Sequence, residues 1–176
     1  QDDFWTFYVM RYSQFAIYNV DILTMYRADL NEALLQGRNM IMEKYAYMME
    51  FTDAENYNAN IKPYMPKASA SKLDLVGKIG ELLIKEEAKF AENYPGISGN
   101  SRPLAGTSKV DVSFMIYTLG ELRTYSERTL SAMYQGLQNM LAKGISPSVL
   151  IHRNTVEFYG NKDLADAEAK IISGRI

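Results

Sequence analysis

The sequence predicts an all-α fold, a single bundle of about six helices, and three observations predict it. Apolar residues recur at helical spacing over most of the 176 residues, Pro and Gly number only 5 and 11, and 47% of the chain is apolar. That apolar share suffices for one well-buried core in a chain of one-domain length. Ten Met and many Leu and Ala suit packed helices better than a many-stranded sandwich.

The first helix is expected from Phe4 to about Gln36, its stripe running through Trp5, Tyr8, Tyr12, Phe15, Ile22, Tyr26, Leu30 and Ala33, with Asp2 and Asp3 placed to cap it. Gly37 ends it, and Asn39 caps a second stretch that carries Met42, Tyr45, Ala46 and Met49 and ends near Phe51. Residues 53–68 hold Pro63, Pro66 and several Asn and read as an irregular crossing. Ser71 and Asp74 resemble a capping box for a third helix over 71–94, with Leu73, Val76, Gly80, Leu83, Phe90 and Tyr94 on its seam, and Pro95 and Gly96 stop it. The connection 95–110 is long for a compact domain and is therefore a place to look for function. A fourth long helix follows through Phe114, Tyr117, Leu122, Tyr125, Leu130, Met133, Leu137 and Leu141 to Gly144. Ser146-Pro147 then opens a helix to Phe158, and a short helix over 164–172 closes the chain.

The chain also repeats itself. An offset of 99 aligns Phe15, Ile17, Tyr18, Leu23, Tyr26 and Ala33 with Phe114, Ile116, Tyr117, Leu122, Tyr125 and Ala132; past the glycine an offset of 107 pairs Gly37 with Gly144 and Glu50-Phe51 with Glu157-Phe158. Helical periodicity alone aligns aromatics with aromatics. The alternative is a duplication, with halves 4–52 and 111–159 bridged by the 71–94 helix and with Tyr26 and Tyr125 in equivalent places.

Composition excludes much chemistry. With no Cys and one His, thiol nucleophiles, disulfide scaffolds, Cys-based zinc sites and nearly all His-centred triads drop out, and neither a metal nor a cofactor is expected. A net charge of -2 offers no broad basic face to nucleic acid or an anionic bilayer. No apolar run is long enough to span a membrane and no signal segment opens the chain, which points to a cytoplasmic domain; a chain that starts at Gln1 has room for an upstream segment.

The stretches Phe7-x-x-Met10-Arg11-x-Ser13-Gln14-Phe15, Gly37-Arg38-Asn39, Glu43-Lys44-Tyr45-Ala46-x-Met48-Met49, Gly99-Asn100-Ser101-Arg102-Pro103 and Ser113-Phe114-x-x-Tyr117-x-x-Gly120-Glu121-Leu122-x-Thr124-Tyr125-Ser126 resemble a bacterial family known as domain of unknown function 4125. The likeness covers nearly the whole chain. It implies a helical bacterial domain whose relatives continue on the N-terminal side of Gln1, and it assigns no activity. Where the family pattern carries a second Gly-Arg-Asn, this chain has Gly144-Ile145-Ser146, which argues against a role that needs the Arg twice.

Several residues carry functional potential. Asn100, Ser101 and Arg102 place successive backbone N–H groups, a hydroxyl and a guanidinium together, chemistry that holds a carboxylate or phosphate; the plainer reading has Arg102 satisfying helix carbonyls. Arg38 and Asn39 beside a helix start are a second anion candidate. Tyr26 and Tyr125, with other tyrosines, either line a cavity or are plain core. Asp29 falls near the buried stripe and matches Arg128 under the repeat, either as a buried pair or with both in water. Glu43-Lys44 and Glu86-Glu87 read as solvated helix faces, Glu121 as inward-pointing, and His152 as a surface or packing residue. Two functions follow. The first is a non-catalytic interaction domain with a Tyr/Met-rich groove for a protein partner. The alternative is an anionic-metabolite domain or enzyme with Arg38 and Arg102 as anchors and Glu43, Glu121 or Tyr125 as acid or base.

Overall fold

A computed structural model describes residues 4–106 and 112–174. The expected caps Asp2 and Asp3, part of the long connection and the first residue of the second repeat half lie outside them. Among the described residues the fold is all-α, with ten helical segments and no strand. They are α1 (Phe4–Phe15), α2 (Val20–Leu35), α3 (Met40–Thr52), α4 (Ala54–Asn56), α5 (Ala70–Asn93), α6 (Pro95–Gly99), α7 (Phe114–Leu122), α8 (Glu127–Ala142), α9 (Pro147–Phe158) and α10 (Leu164–Ile172). A π turn at Tyr57–Ile61 and a 3₁₀ turn at Lys62–Tyr64 fill the crossing before α5.

The count exceeds six because both expected long helices are broken and the short helices α4 and α6 are added. Asn19 is an N-cap whose side chain accepts from the Ile22 N–H at 3.0 Å, so the chain restarts there as α2. Ser126 does the same for α8, accepting from the Thr129 N–H at 3.2 Å. The cap of α5 is Ser69, which accepts from the Lys72 N–H, and not Ser71. α9 starts at Pro147 as expected, although the Ser146 hydroxyl does not cap it. Pro95 ends α5 by opening α6.

At the turn after α2, Gly37 adopts φ 67°, and its N–H and that of Arg38 close back on the carbonyls of Leu34 and Ala33. Gly144 after α8 adopts φ 72° with the corresponding bonds from Gly144 and Ile145 to Leu141 and Met140. The caps Asn19 and Ser126, the 16-residue helices α2 and α8, the two glycines and the starts Met40 and Pro147 all fall at one offset of 107. The expected equivalence of Tyr26 and Tyr125 is therefore wrong. Tyr26 lies inside α2, Tyr125 lies in the break before α8, and the residue in Tyr125's position is Tyr18.

α5 is the central strut, packed against α6, α7, α8 and α9, while α7 lies against both α3 and α5. The main core gathers Ile22 and Ala33 from α2, Val76 and Ile79 from α5, and Leu122, Leu130, Met133 and Leu137 around α7 and α8. A smaller one joins Phe90, Ile97, Val156, Leu164 and Ala167 at the far end of α5. Trp5, Tyr8 and Tyr12, expected in the buried stripe, are 51%, 43% and 48% exposed; they ring Phe158 of α9 at centroid distances of 5.9, 6.0 and 5.1 Å. Leu30, Met42, Tyr45 and Leu73 are exposed as well.

Candidate functional site

α7 organises the site. Tyr117 and Glu121 stand four residues apart and share one face of the helix. Gly120 beside them lets α3 approach so closely that an added Cβ would come within 3.0 Å of the Lys44 carbonyl. That approach carries the Lys44 side chain across to α7, where its Nζ donates to the Tyr117 hydroxyl at 2.7 Å. The ammonium also lies 4.1 Å from the Tyr117 ring centroid and 4.7 Å from that of Tyr45. Arg102 covers the same Tyr117 ring at 4.7 Å.

One turn on, Glu121 is 4% exposed. Its Oε1 accepts from Arg11 Nη1 of α1 at 2.5 Å and from the Tyr125 hydroxyl at 2.6 Å. Arg11 also donates from Nη1 to Gln14 at 3.2 Å and from Nη2 to the Tyr26 hydroxyl at 3.3 Å. Tyr26 stacks on Phe15 at 4.6 Å and meets Tyr125 edge-on at 5.0 Å. Among the described residues the cluster thus holds three cations, Arg11, Lys44 and Arg102, around one carboxylate, Glu121.

This environment shifts its members. Burial pushes the Tyr125 hydroxyl well above the ordinary tyrosine range, and the neighbouring Glu121 carboxylate adds to it. Burial and then Glu121 raise Tyr18 as well, and burial raises Tyr26 and Tyr117. For Arg11, burial opposes the charge, but Glu121 with Tyr125 and Tyr26 more than offsets it and holds the guanidinium protonated. Lys44 goes the other way: burial lowers it, and the positive charges of Arg11 and Arg102 act in the same direction against Glu121.

The sequence-based candidates divide. Tyr26, Glu121, Tyr125 and Arg102 come together in this cluster. Arg38 and Glu43 form a separate bidentate pair, Nε to Oε1 and Nη2 to Oε2, both at 2.7 Å, so Glu43 is no solvated face and Arg38 is already engaged. Asn39 spends its side-chain oxygen on the Ile41 and Met42 N–H groups as the α3 cap. Asn100 is the C-cap of α6, and the Ser101 hydroxyl donates to the Ile97 carbonyl at 3.1 Å. The α6 N-terminus is filled too, since Gly96 and Ile97 donate to the Glu168 carboxylate at 2.6 and 2.8 Å.

Asp29 is buried, yet its partner is not Arg128, which is exposed; it accepts from the Ser126 N–H at 2.9 Å and so caps α8 from across the bundle. Glu86 and Glu87 are buried rather than solvated, Glu86 on Lys89 and Glu87 on His152. His152 is a packing histidine, stacked on Phe90 at 4.0 Å. Among the described residues no group of three or more His, Asp or Glu is placed to hold a metal ion, and no helix is long and apolar enough to cross a membrane.

Arg11 and Lys44 escaped the sequence reading of the site, although both stand in the stretches that carry the family resemblance. A family model described as a protein of unknown function, DUF4125, matches residues 1–169. No curated protein and no solved structure matches the chain.

Proposed function

We propose that this chain, which belongs to the family of proteins of unknown function DUF4125, is a binding domain for a small anionic ligand held where α1, α3, α7 and Arg102 meet. The observation that carries the reading is Lys44. Its residue is 8% exposed, and its ammonium bonds a neutral phenol without an ion pair to any carboxylate among the described residues. Buried lysines are ordinarily paired, and this one has two further cations for neighbours. A carboxylate or phosphate oxygen between Lys44 and Arg102 supplies the missing counter-charge in a ring-walled setting. Recognition fits better than acid–base turnover. Glu121 Oε1 already accepts two bonds, and Tyr125, 2% exposed, spends its proton on that carboxylate.

Thermal shift with phosphate, acetate and citrate at constant ionic strength tests this on the wild type, Lys44→Met and Arg102→Ala. A ligand at about 100 times its Kd stabilises by about 2.7 kcal/mol, which is roughly 5–10 °C for a chain of this size. The variants should lose most of that gain; equal gains in all three proteins refute the reading.

A second reading, a protein-interaction domain, has its own observation. Phe4, Phe7 and Met10 on α1, and Leu34, Leu35, Ile41 and Met42 around the Gly37 turn, expose large apolar side chains. Light scattering of the wild type and Leu35→Lys tests self-association; a monomer in both removes the second-copy form of this reading. We also propose that halves 4–52 and 111–159 are copies of one unit, a reading supported by the single offset of 107 that relates caps, helices and glycines.

A further inference from the structure

The second oxygen of Glu121 says more about the ligand. Oε1 accepts from Arg11 and Tyr125, whereas Oε2 is buried and has no hydrogen-bond partner among the described residues. A buried carboxylate oxygen without a donor forfeits its hydration and gains nothing in return. Lys44 presents the converse deficit, a buried donor cation without an anionic acceptor. The two deficits would cancel if the side chains met. They do not form an ion pair, because Lys44 is held by Tyr117, four residues and about one 5.4 Å turn from Glu121 along α7.

From this separation we infer that the ligand is bifunctional: an anionic carboxylate or phosphate group for Lys44 and, two or three bonds away, a hydroxyl or ammonium donor for Glu121 Oε2. The inference rests on the anion-binding reading and narrows it to small hydroxy acids, amino acids and their phosphate counterparts. A ligand bearing only the anionic group leaves the carboxylate oxygen unsatisfied, and one bearing only the donor leaves Lys44 so. Compounds without an anionic group are excluded by the three cations of the site.

The probes are acetate, glycolate and glycine, which share one carboxylate and differ in the donor on the adjacent carbon. Calorimetric titration into the wild type should give glycolate or glycine an affinity about tenfold or more above acetate, the usual worth of a hydrogen bond to a charged group. Glu121→Gln keeps one oxygen for Arg11 and Tyr125 and puts an amide NH₂ where Oε2 stood. It should reduce the preference for glycine, whose ammonium can only donate, to within about twofold while acetate still binds. Equal affinities of the three probes for the wild type, with all three weakened by Lys44→Met, overturn the bifunctional ligand and leave the anion site standing. No binding of any probe, or of phosphate, to the wild type overturns both. The wild-type comparison decides even if Glu121→Gln fails to fold, which far-UV circular dichroism reports.

Discussion

Gly120 sets the spacing on which the site depends, and replacing it with Ala probes that spacing directly. The new Cβ would stand 2.7 Å from Met48 Cγ and 3.0 Å from the Lys44 carbonyl oxygen. The methionine can swing aside, but the carbonyl belongs to the α3 backbone, so relief requires α3 and α7 to separate. Overpacking of this kind costs about 1–3 kcal/mol, and Ala returns about 1 kcal/mol of helix propensity over Gly. The net expectation is a loss of up to about 2 kcal/mol. Gly77→Ala in α5 is the matched control, because nothing lies within 4 Å of its added Cβ. That variant should gain up to about 1 kcal/mol. Urea unfolding of the two proteins should therefore differ by about 1–3 kcal/mol at unchanged m-value. Equal midpoints would refute the close α3–α7 approach and, with it, the placement of Lys44 against Tyr117.

Two further outcomes follow from other pairs. Arg38→Ala strands the Glu43 carboxylate, which is mostly buried, while the Arg itself is 31% exposed at its side chain; the loss should be about 1–3 kcal/mol, below that of a fully buried pair, and Glu43→Gln in the same protein should recover part of it in a double-mutant cycle. The raised Tyr125 and Tyr18 hydroxyls stay protonated in the folded chain when the unfolded chain has lost those protons, so stability should fall as pH rises past the ordinary tyrosine value of 10.0. Spectrophotometric titration should show these phenols ionising only with unfolding, and a pH-independent midpoint between pH 9 and 11 would contradict it.

Helical periodicity suffices for the fold class because stripes at 3.6-residue spacing are a local signal, and α10 and the Gly37 and Gly144 stops follow from it directly. The breaks before α2 and α8 escape the same reasoning. Asn19 and Ser126 are tolerable inside a helix, and only the direction of their side chains toward Ile22 and Thr129 turns them into caps. Periodicity also names a face without naming its partner, which is why Tyr8 and Tyr12 read as core but stand half in solvent around Phe158. At the site, Tyr117 and Tyr125 on the apolar stripe and the inward-pointing Glu121 are legible in the sequence. Completion of the site by Arg11 and Lys44 is not, since these reach Glu121 and Tyr117 over sequence separations of 110 and 73 residues. Glu43, Glu86 and Glu87 look like solvated charges until Arg38, Lys89 and His152 are found beside them.

Lys44 is the residue on which the account turns, and nitrogen-15 NMR of its side-chain ammonium group reads it directly. On titration with glycolate, one lysine signal, absent from Lys44→Met, should move saturably and far more than the other lysine signals. If that signal stays still while the exposed lysines drift together with salt, the buried ammonium meets no anion and the binding account fails.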